Sequence, residues 1–297
     1  MSETIDQFDA EAVIAVFDRG NEAMLDSRYR EKSIVRLPGQ GRLLVTGDLH
    51  DNTIHLQKIL RLAKLENAPD HHVILHELIH GDKLLNGMDF SHRMLTKVAL
   101  LVLDHPDQVH PLLANHELSQ LTGRGVSKGA GNSLDLFNQA LEYVYQDAWQ
   151  RVADAINRFI RAMPLALISD SGILCAHSLP ASKALMKFDT DIINRDLKNE
   201  DYHYPYGSAY LMVWGRAHDQ VLYETLAKKW NVKLFYLGHQ HVETGIESKG
   251  FSPGVIVLNS DHERATVVDL DLAATPDPEE ALLTAIPLVS VQIDPSR

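Results

Sequence analysis

Sixteen histidines in 297 residues invite a search for a metal site, and five short segments answer it. They are Gly47-Asp48-Leu49-His50, Gly81-Asp82, Asn115-His116-Glu117, His177, and Gly238-His239-Gln240-His241. Asp48 and His50 stand two apart, as do His239 and His241, so at an extended strand end each pair points to one side. Asp82 can bridge two cations, Asn115 offers a neutral oxygen and His177 a ring nitrogen. His116 would then sit beside the ions without binding them. A mixed set of imidazole, carboxylate and amide donors suits manganese, iron or zinc better than calcium. Two such ions, held roughly 3.5–4 Å apart by a shared carboxylate, activate water between them and clamp a phosphoryl group. A proton donor must also reach the leaving oxygen.

Strand ends must bring these segments together. Arg42 to Thr46 is a short apolar run ending at Gly47-Asp48, and Asn52 to Glu66 then has helical spacing. His72 to Ile79 is a second apolar run ending at Gly81-Asp82, followed by a helix over 90–103. A third run, Val109 to Leu113, ends at Asn115-His116. Strand, polar loop and helix thus recur three times, the grammar of a layered α/β domain whose sites gather at the carboxyl ends of strands. Further strands are predicted at 165–169, 172–176, 233–237, 254–258 and 265–270, with helices over 5–29 and 134–163. The Gly-rich run 121–131 reads as a mobile loop, and the polar, Tyr-rich segment 189–209 has no assignable pattern. Residues 1–273 read as a single domain and 274–297 as an acidic, Pro-containing linker or tail.

In this order the segments resemble the calcineurin-like metallophosphoesterase superfamily, whose pattern is D-x-H, G-D, G-N-H-[DE], H and G-H-x-H. The resemblance runs from Asp48 to His241. It implies a four-layer α/β sandwich (αββα), two mixed β-sheets packed face to face and flanked by helices. It also implies a dinuclear phosphoester hydrolase. Asp48, His50, Asp82 and His241 would bind one divalent ion; Asp82, Asn115, His177 and His239 would bind the other. A hydroxide between them would attack phosphorus, with His116 as general acid.

Within that superfamily, Met163 to Ala166, Gly172 to Pro180, Asn115-His116-Glu117, Gly238-His239-Gln240 and Val213 to Arg216 are similar to protein serine/threonine phosphatases, which favours a phosphomonoester. Two features depart from that branch. Lys83 to Gly87 replaces the stretch carrying a second aspartate, so the residue that would orient His116 is missing at Leu85. Leu113-Ala114 replaces Arg-Gly before Asn115, and Arg124 and Arg216 are the candidates to grip phosphate instead. The altered grip leaves a non-catalytic metal-binding scaffold of the same fold as the alternative.

One competing motif lies inside the set. His76-Glu77-Leu78-Ile79-His80 fits H-E-x-x-H, in which two histidines one helical turn apart bind zinc and the glutamate is the base of a peptidase. It requires a helix through 76–80, where the sequence is strand-like and stops at Gly81. His71, His72, His92, His105 and His110 read as surface residues. Tyr202, Tyr204, Tyr206 and Tyr210 are either a substrate wall or packing.

The bulk composition narrows the function. A net charge of −12 argues against nucleic acid as partner, because a binder must offset phosphate charge, yet bound cations can still invert the local field for a phosphorylated substrate. The single cysteine, Cys175, rules out an intrachain disulfide and fits a cytoplasmic setting. The acidic N-terminal stretch lacks a signal-peptide layout, and no apolar run reaches membrane-span length.

Overall fold

The computed structural model describes residues 5–125, 127–128 and 131–293. Two mixed sheets dominate. The larger runs Arg30–Glu31, Ile34–Leu37, Ala166–Ser169, Ile173–Ala176, Leu234–Leu237, Gly254–Leu258, Ile246–Ser248. The smaller runs Ala285–Pro287, Thr266–Asp271, Arg42–Thr46, His71–Leu75, Val109–Pro111. In the smaller sheet the strands 42–46, 71–75 and 109–111 are parallel neighbours. In the larger one, 173–176, 234–237 and 254–258 are parallel. The carboxyl ends of each parallel set therefore point one way, as the recurrent pattern predicts.

The side-chain alternation of the strands builds the layers. Leu43, Val45, Ile74 and Val268 from one sheet and Leu167, Ile173, Leu234 and Ile256 from the other share one apolar cluster between the sheets. Their neighbours Leu44, Val73, Leu174 and Phe235 face outward into the helices. On that side Ala10–Asp26 packs on His92–Asp104 and Trp149–Ala162. Phe17 and Phe159 meet there at 5.5 Å between ring centroids. The layered α/β architecture anticipated from the motif order is thus the one observed.

Differences from the sequence reading have local causes. The helical stretch 134–163 is two helices, Ser133–Tyr145 and Trp149–Ala162, broken where Gln146 takes a φ of 47°. The 189–209 segment is a chain of short 3-10 turns leading into the helix Ser208–Trp214. Of the Gly-rich run, Thr122 closes the helix Asn115–Thr122 and Ser127–Lys128 pairs with Gly131–Asn132; residues 126, 129 and 130 lie outside the described residues. The stretch after Ala273, expected as a linker or tail, carries regular structure. Asp277 caps the helix Pro278–Leu283 through a reciprocal capping box with Glu280, and Ala285–Pro287 adds an edge strand. Residues 294–297 lie outside the described residues. Among the described residues no helix is long and apolar enough to cross a membrane.

Four histidines expected on the surface, His71, His72, His92 and His110, are buried. His72 and His110 stack across adjacent strands, with Nδ1 and Nε2 3.1 Å apart. His92 sits among Phe90, Phe137 and Tyr145.

Candidate metal centre

The loops beyond four strands and the start of one helix meet at a single place. Asp48 and His50 follow the strand Arg42–Thr46, His177 directly follows Ile173–Ala176, and His239 follows Leu234–Leu237. Asn115 and His116 open the helix Asn115–Thr122. The loop after Leu75 supplies His76 and Glu77. Ligand atoms of Asp48, His76 and His177 lie within 4.8 Å of one another, and so do those of His50, Glu77 and His116.

His177 and Glu77 join the two groups. His177 Nε2 is 2.7 Å from Asn115 Oδ1, 3.0 Å from His239 Nδ1 and 3.3 Å from Glu77 Oε2. The other Glu77 oxygen, Oε1, is 3.5 Å from His116 Nδ1. One carboxylate thus faces both groups. Asp48 Oδ1 is 3.5 Å from His177 Nδ1 and 3.6 Å from His76 Nδ1. The His239 backbone N–H donates to Asp48 at 3.0 Å and fixes it.

Electrostatics puts these groups in ligand form. Burial pushes the His76 imidazole down to about 4 and His239 to about 2, with nearby histidines and, at His239, Arg216 adding to the effect. Neutral rings offer lone pairs. Burial works against ionisation of Asp48, but its hydrogen bond to His177 and the charges of His177, His76 and His50 outweigh it and hold the carboxyl below its usual range. His76 Nε2 lies 2.8 Å from the Thr46 carbonyl, which only accepts. The proton therefore belongs on Nε2, and Nδ1 keeps its lone pair toward Asp48 and His177.

The backbone is unusual here. Of the ten non-glycine residues with positive φ among the described residues, five are His50, Asp51, Glu77, His80 and His239. Such conformations cost free energy and cluster where function requires them. Glycines make room: a Cβ on Gly81 would come within 2.4 Å of the His50 carbonyl. One on Gly238 would lie 2.4 Å from both Asp48 Oδ1 and His76 Cε1.

Of the residues singled out from the sequence, Asp48, His50, Asn115, His116, His177 and His239 come together. Asp82 does not: it is exposed and outside both ligand groups. The strand ends at Leu75, four residues before the predicted Ile79. The chain then turns at left-handed Glu77 and His80. The buried Glu117 carboxylate accepts from the N–H groups of Leu78 at 2.7 Å and Ile79 at 3.2 Å, holding that turn. This leaves Asp82 outside and brings Glu77 inside. His241 is exposed as well, its ring 5.4 Å from His262. Arg216 Nη1 donates to the His239 carbonyl at 2.8 Å, and Arg124 lies 4.1 Å over the Tyr204 ring.

The H-E-x-x-H helix does not form. His76 pairs in a β-bridge with Asp48, while His80 turns away to Asp89, with Nδ1 and Oδ2 2.6 Å apart and both groups buried. The His80 ring lies 5.4 Å from that of His116. The sequence singles out His76, Glu77 and His80 through the H-E-x-x-H motif but not as members of this ligand set, and it does not single out Asp89. The available signal was the polar pair His76-Glu77 interrupting the run directly after Leu75, where the strand ends, whereas Gly81-Asp82 lies five residues further on.

The profile of the calcineurin-like phosphoesterases matches residues 41–243, from the first site strand to just past His241. The chain belongs to the calcineurin-like phosphoesterase family. It is therefore a hydrolase acting on phosphoesters, of a metal-dependent family. Among solved structures it is similar to a protein serine/threonine phosphatase from Saccharomyces cerevisiae with similarity to human phosphatase PP5. That match has 14% identity and a TM-score of 0.65, over 94% of this chain and 88% of the other. It is also similar to a cold-active protein-tyrosine phosphatase of a psychrophilic Shewanella, with 16% identity and a TM-score of 0.55 over 80% and 77%. At these identities the likeness is one of fold. No curated protein matches the sequence significantly.

Proposed function

We propose that this calcineurin-like phosphoesterase is a phosphomonoesterase that works with two divalent ions, manganese, iron or zinc, sharing Glu77. The observation carrying this reading is the Glu77 carboxylate, whose two oxygens face different ligand groups, at 3.5 Å from His116 and 3.3 Å from His177. The donor set fits such ions: Asn115 Oδ1, His239 Nδ1 and Glu77 Oε2 all approach one nitrogen of His177. In addition, the buried His239 Nε2 has no hydrogen-bond partner among the described residues. Asp48 and His50 would hold one ion, with Glu77. Asn115, His177 and His239 would hold the other, and His76 is an additional donor beside Asp48. Glu77 takes the role that the motif pattern gave to Asp82, and His241 is not required.

Bound there, the ions would supply an acidified water and neutralise charge on the phosphoryl oxygens. The chain does the rest. His116 donates a proton to the leaving oxygen. His80, held by Asp89 at 2.6 Å, packs on the His116 ring and orients it, replacing the aspartate missing at Leu85. Burial raises the Asp89 carboxyl, but the hydrogen bond and charge of His80 outweigh it and keep it ionised. The Arg216 guanidinium, fixed on the His239 carbonyl, supplies positive charge where phosphoryl oxygens would lie.

The test compares wild type and His116→Asn, loaded with Mn²⁺, on p-nitrophenyl phosphate and glycerol 2-phosphate. His116→Asn should keep its metal and lose roughly 10²-fold or more on glycerol 2-phosphate, whose leaving oxygen needs the proton. It should lose much less on the nitrophenyl ester. Equal rates on glycerol 2-phosphate would remove the acid from His116. Absence of hydrolysis by the wild type with every metal would instead favour a metal-binding scaffold.

A further inference from the structure

A line of aromatic rings leaves the metal centre. Trp214 stands 6.1 Å from the His239 ring, nearly perpendicular to it. Tyr210, one helical turn earlier on Ser208–Trp214, is 6.0 Å from Trp214 and stacked. Tyr204 continues the line at 5.4 Å from Tyr210, edge to face. Arg124 closes the outer end over Tyr204 at 4.1 Å, and Arg216 stands at the inner end.

These rings are not a sealed core. Tyr204 is 53% exposed, and Tyr210 and Trp214 are half-buried. Tyr210 and Trp214 also pack against the hydrophobic core, which leaves each of them partly open to solvent. A partly exposed aromatic strip forgoes part of the hydrophobic stabilisation that burial would give it, yet here it is continuous with His239 and bracketed by two guanidinium groups. Aromatic surfaces prefer planar partners in offset or edge-to-face geometry. A guanidinium over a ring adds cation–π attraction and places positive charge beside whatever lies there.

We infer that Trp214, Tyr210 and Tyr204 form the leaving-group subsite of this enzyme and that its substrate is an aryl phosphomonoester, the phosphate at the metal centre and the aromatic ring laid along the row. This rests on the phosphomonoesterase reading above. Arg216 would meet the phosphoryl end, and Arg124 would favour an anionic substituent or flanking acidic group beyond the ring.

The experiment measures kcat/KM for phenyl phosphate and glycerol 2-phosphate with Mn²⁺-loaded wild type, Tyr210→Ala and Trp214→Leu. Each variant is compared with wild type on the same ester, which removes the difference in leaving-group basicity. The aryl-over-alkyl ratio should fall about tenfold, chiefly through KM, as expected for the loss of one ring contact. A proportional fall on both esters, or no change in the ratio, overturns the subsite. Calorimetric binding of phenylphosphonate and methylphosphonate to the same proteins gives a second reading independent of turnover. Wild type should prefer the phenyl compound about tenfold and Tyr210→Ala should not. If neither ester is hydrolysed but the phenyl preference holds, the phosphomonoesterase reading fails, and with it the aryl ester as substrate, while ring binding by the aromatic row stands. If both esters turn over with an unaltered ratio, the reading stands and the subsite fails.

Discussion

Gly238→Ala tests the tight corner that Asp48 and His76 share beside Gly238. The added Cβ would sit 2.4 Å from Asp48 Oδ1 and 2.4 Å from His76 Cε1, where ordinary contact begins at 3.4 Å. Relieving that overlap requires a shift of about 1 Å in the carboxylate, the ring or the backbone. A displacement of about 1 Å at a catalytic centre costs on the order of 10²-fold in rate. Overpacking of this size costs about 1–3 kcal/mol of stability, less than the roughly 5–15 kcal/mol that holds a typical domain folded. The variant should therefore fold, with unchanged circular dichroism and a lowered Tm. Its kcat/KM on p-nitrophenyl phosphate should fall about 100-fold, and its apparent Mn²⁺ affinity should weaken. Gly250→Ala is the control: with φ +68° and nothing within 4 Å of its Cβ position, it strains the backbone without touching the site and should retain full activity. Wild-type kcat/KM and Mn²⁺ affinity in Gly238→Ala would show that Asp48 and His76 do not share this corner of the site.

Two further changes probe supports of the site and of the core. Glu117→Ala strands the N–H groups of Leu78 and Ile79, so turnover should fall about 10²-fold through displacement of Glu77. Burial already raises the Glu117 carboxyl to about 7; its role is acceptance rather than charge, and Glu117→Gln should restore most of the activity. Turnover as low in the glutamine variant as in the alanine one would contradict that role. At His92, burial pushes the imidazole from 6.5 down to about 4, and neither ring nitrogen has a hydrogen-bond partner among the described residues. The unfolded chain thus takes up a proton first as pH falls, and stability is lost from about 6.5 down through about 4, roughly 2–3 kcal/mol between pH 7 and 4.5. His92→Phe should shrink the pH 7 to pH 4.5 difference in urea unfolding by that amount; an unchanged difference would refute it.

The sequence made the strands and most of the site legible for a simple reason. Apolar runs such as 42–46, 173–176 and 234–237 end where polar residues begin, and the candidate ligands Asp48, His177 and His239 lie within two residues of those ends. The reading failed where a run stayed apolar after its strand had ended. Leu78 and Ile79 are buried but belong to a turn, held by Glu117 from another segment. That contact, between residues 38 and 39 positions apart, has no local signature. The left-handed backbone at Glu77 and His80 has none either, since neither is glycine. The dipeptide Gly81-Asp82 therefore attracted the role proposed here for Glu77. The buried histidines were misread for a related cause: His72 and His110 satisfy each other only across paired strands, a match invisible before register is known.

Glu77, and not Asp82, is proposed as the carboxylate shared by two ions. Elemental analysis of Mn²⁺-loaded, desalted protein tests it most directly, on wild type, Glu77→Gln and Asp82→Asn. Wild type and Asp82→Asn should hold two ions per chain, and Glu77→Gln one or none. Two ions retained in Glu77→Gln with loss in Asp82→Asn would contradict it.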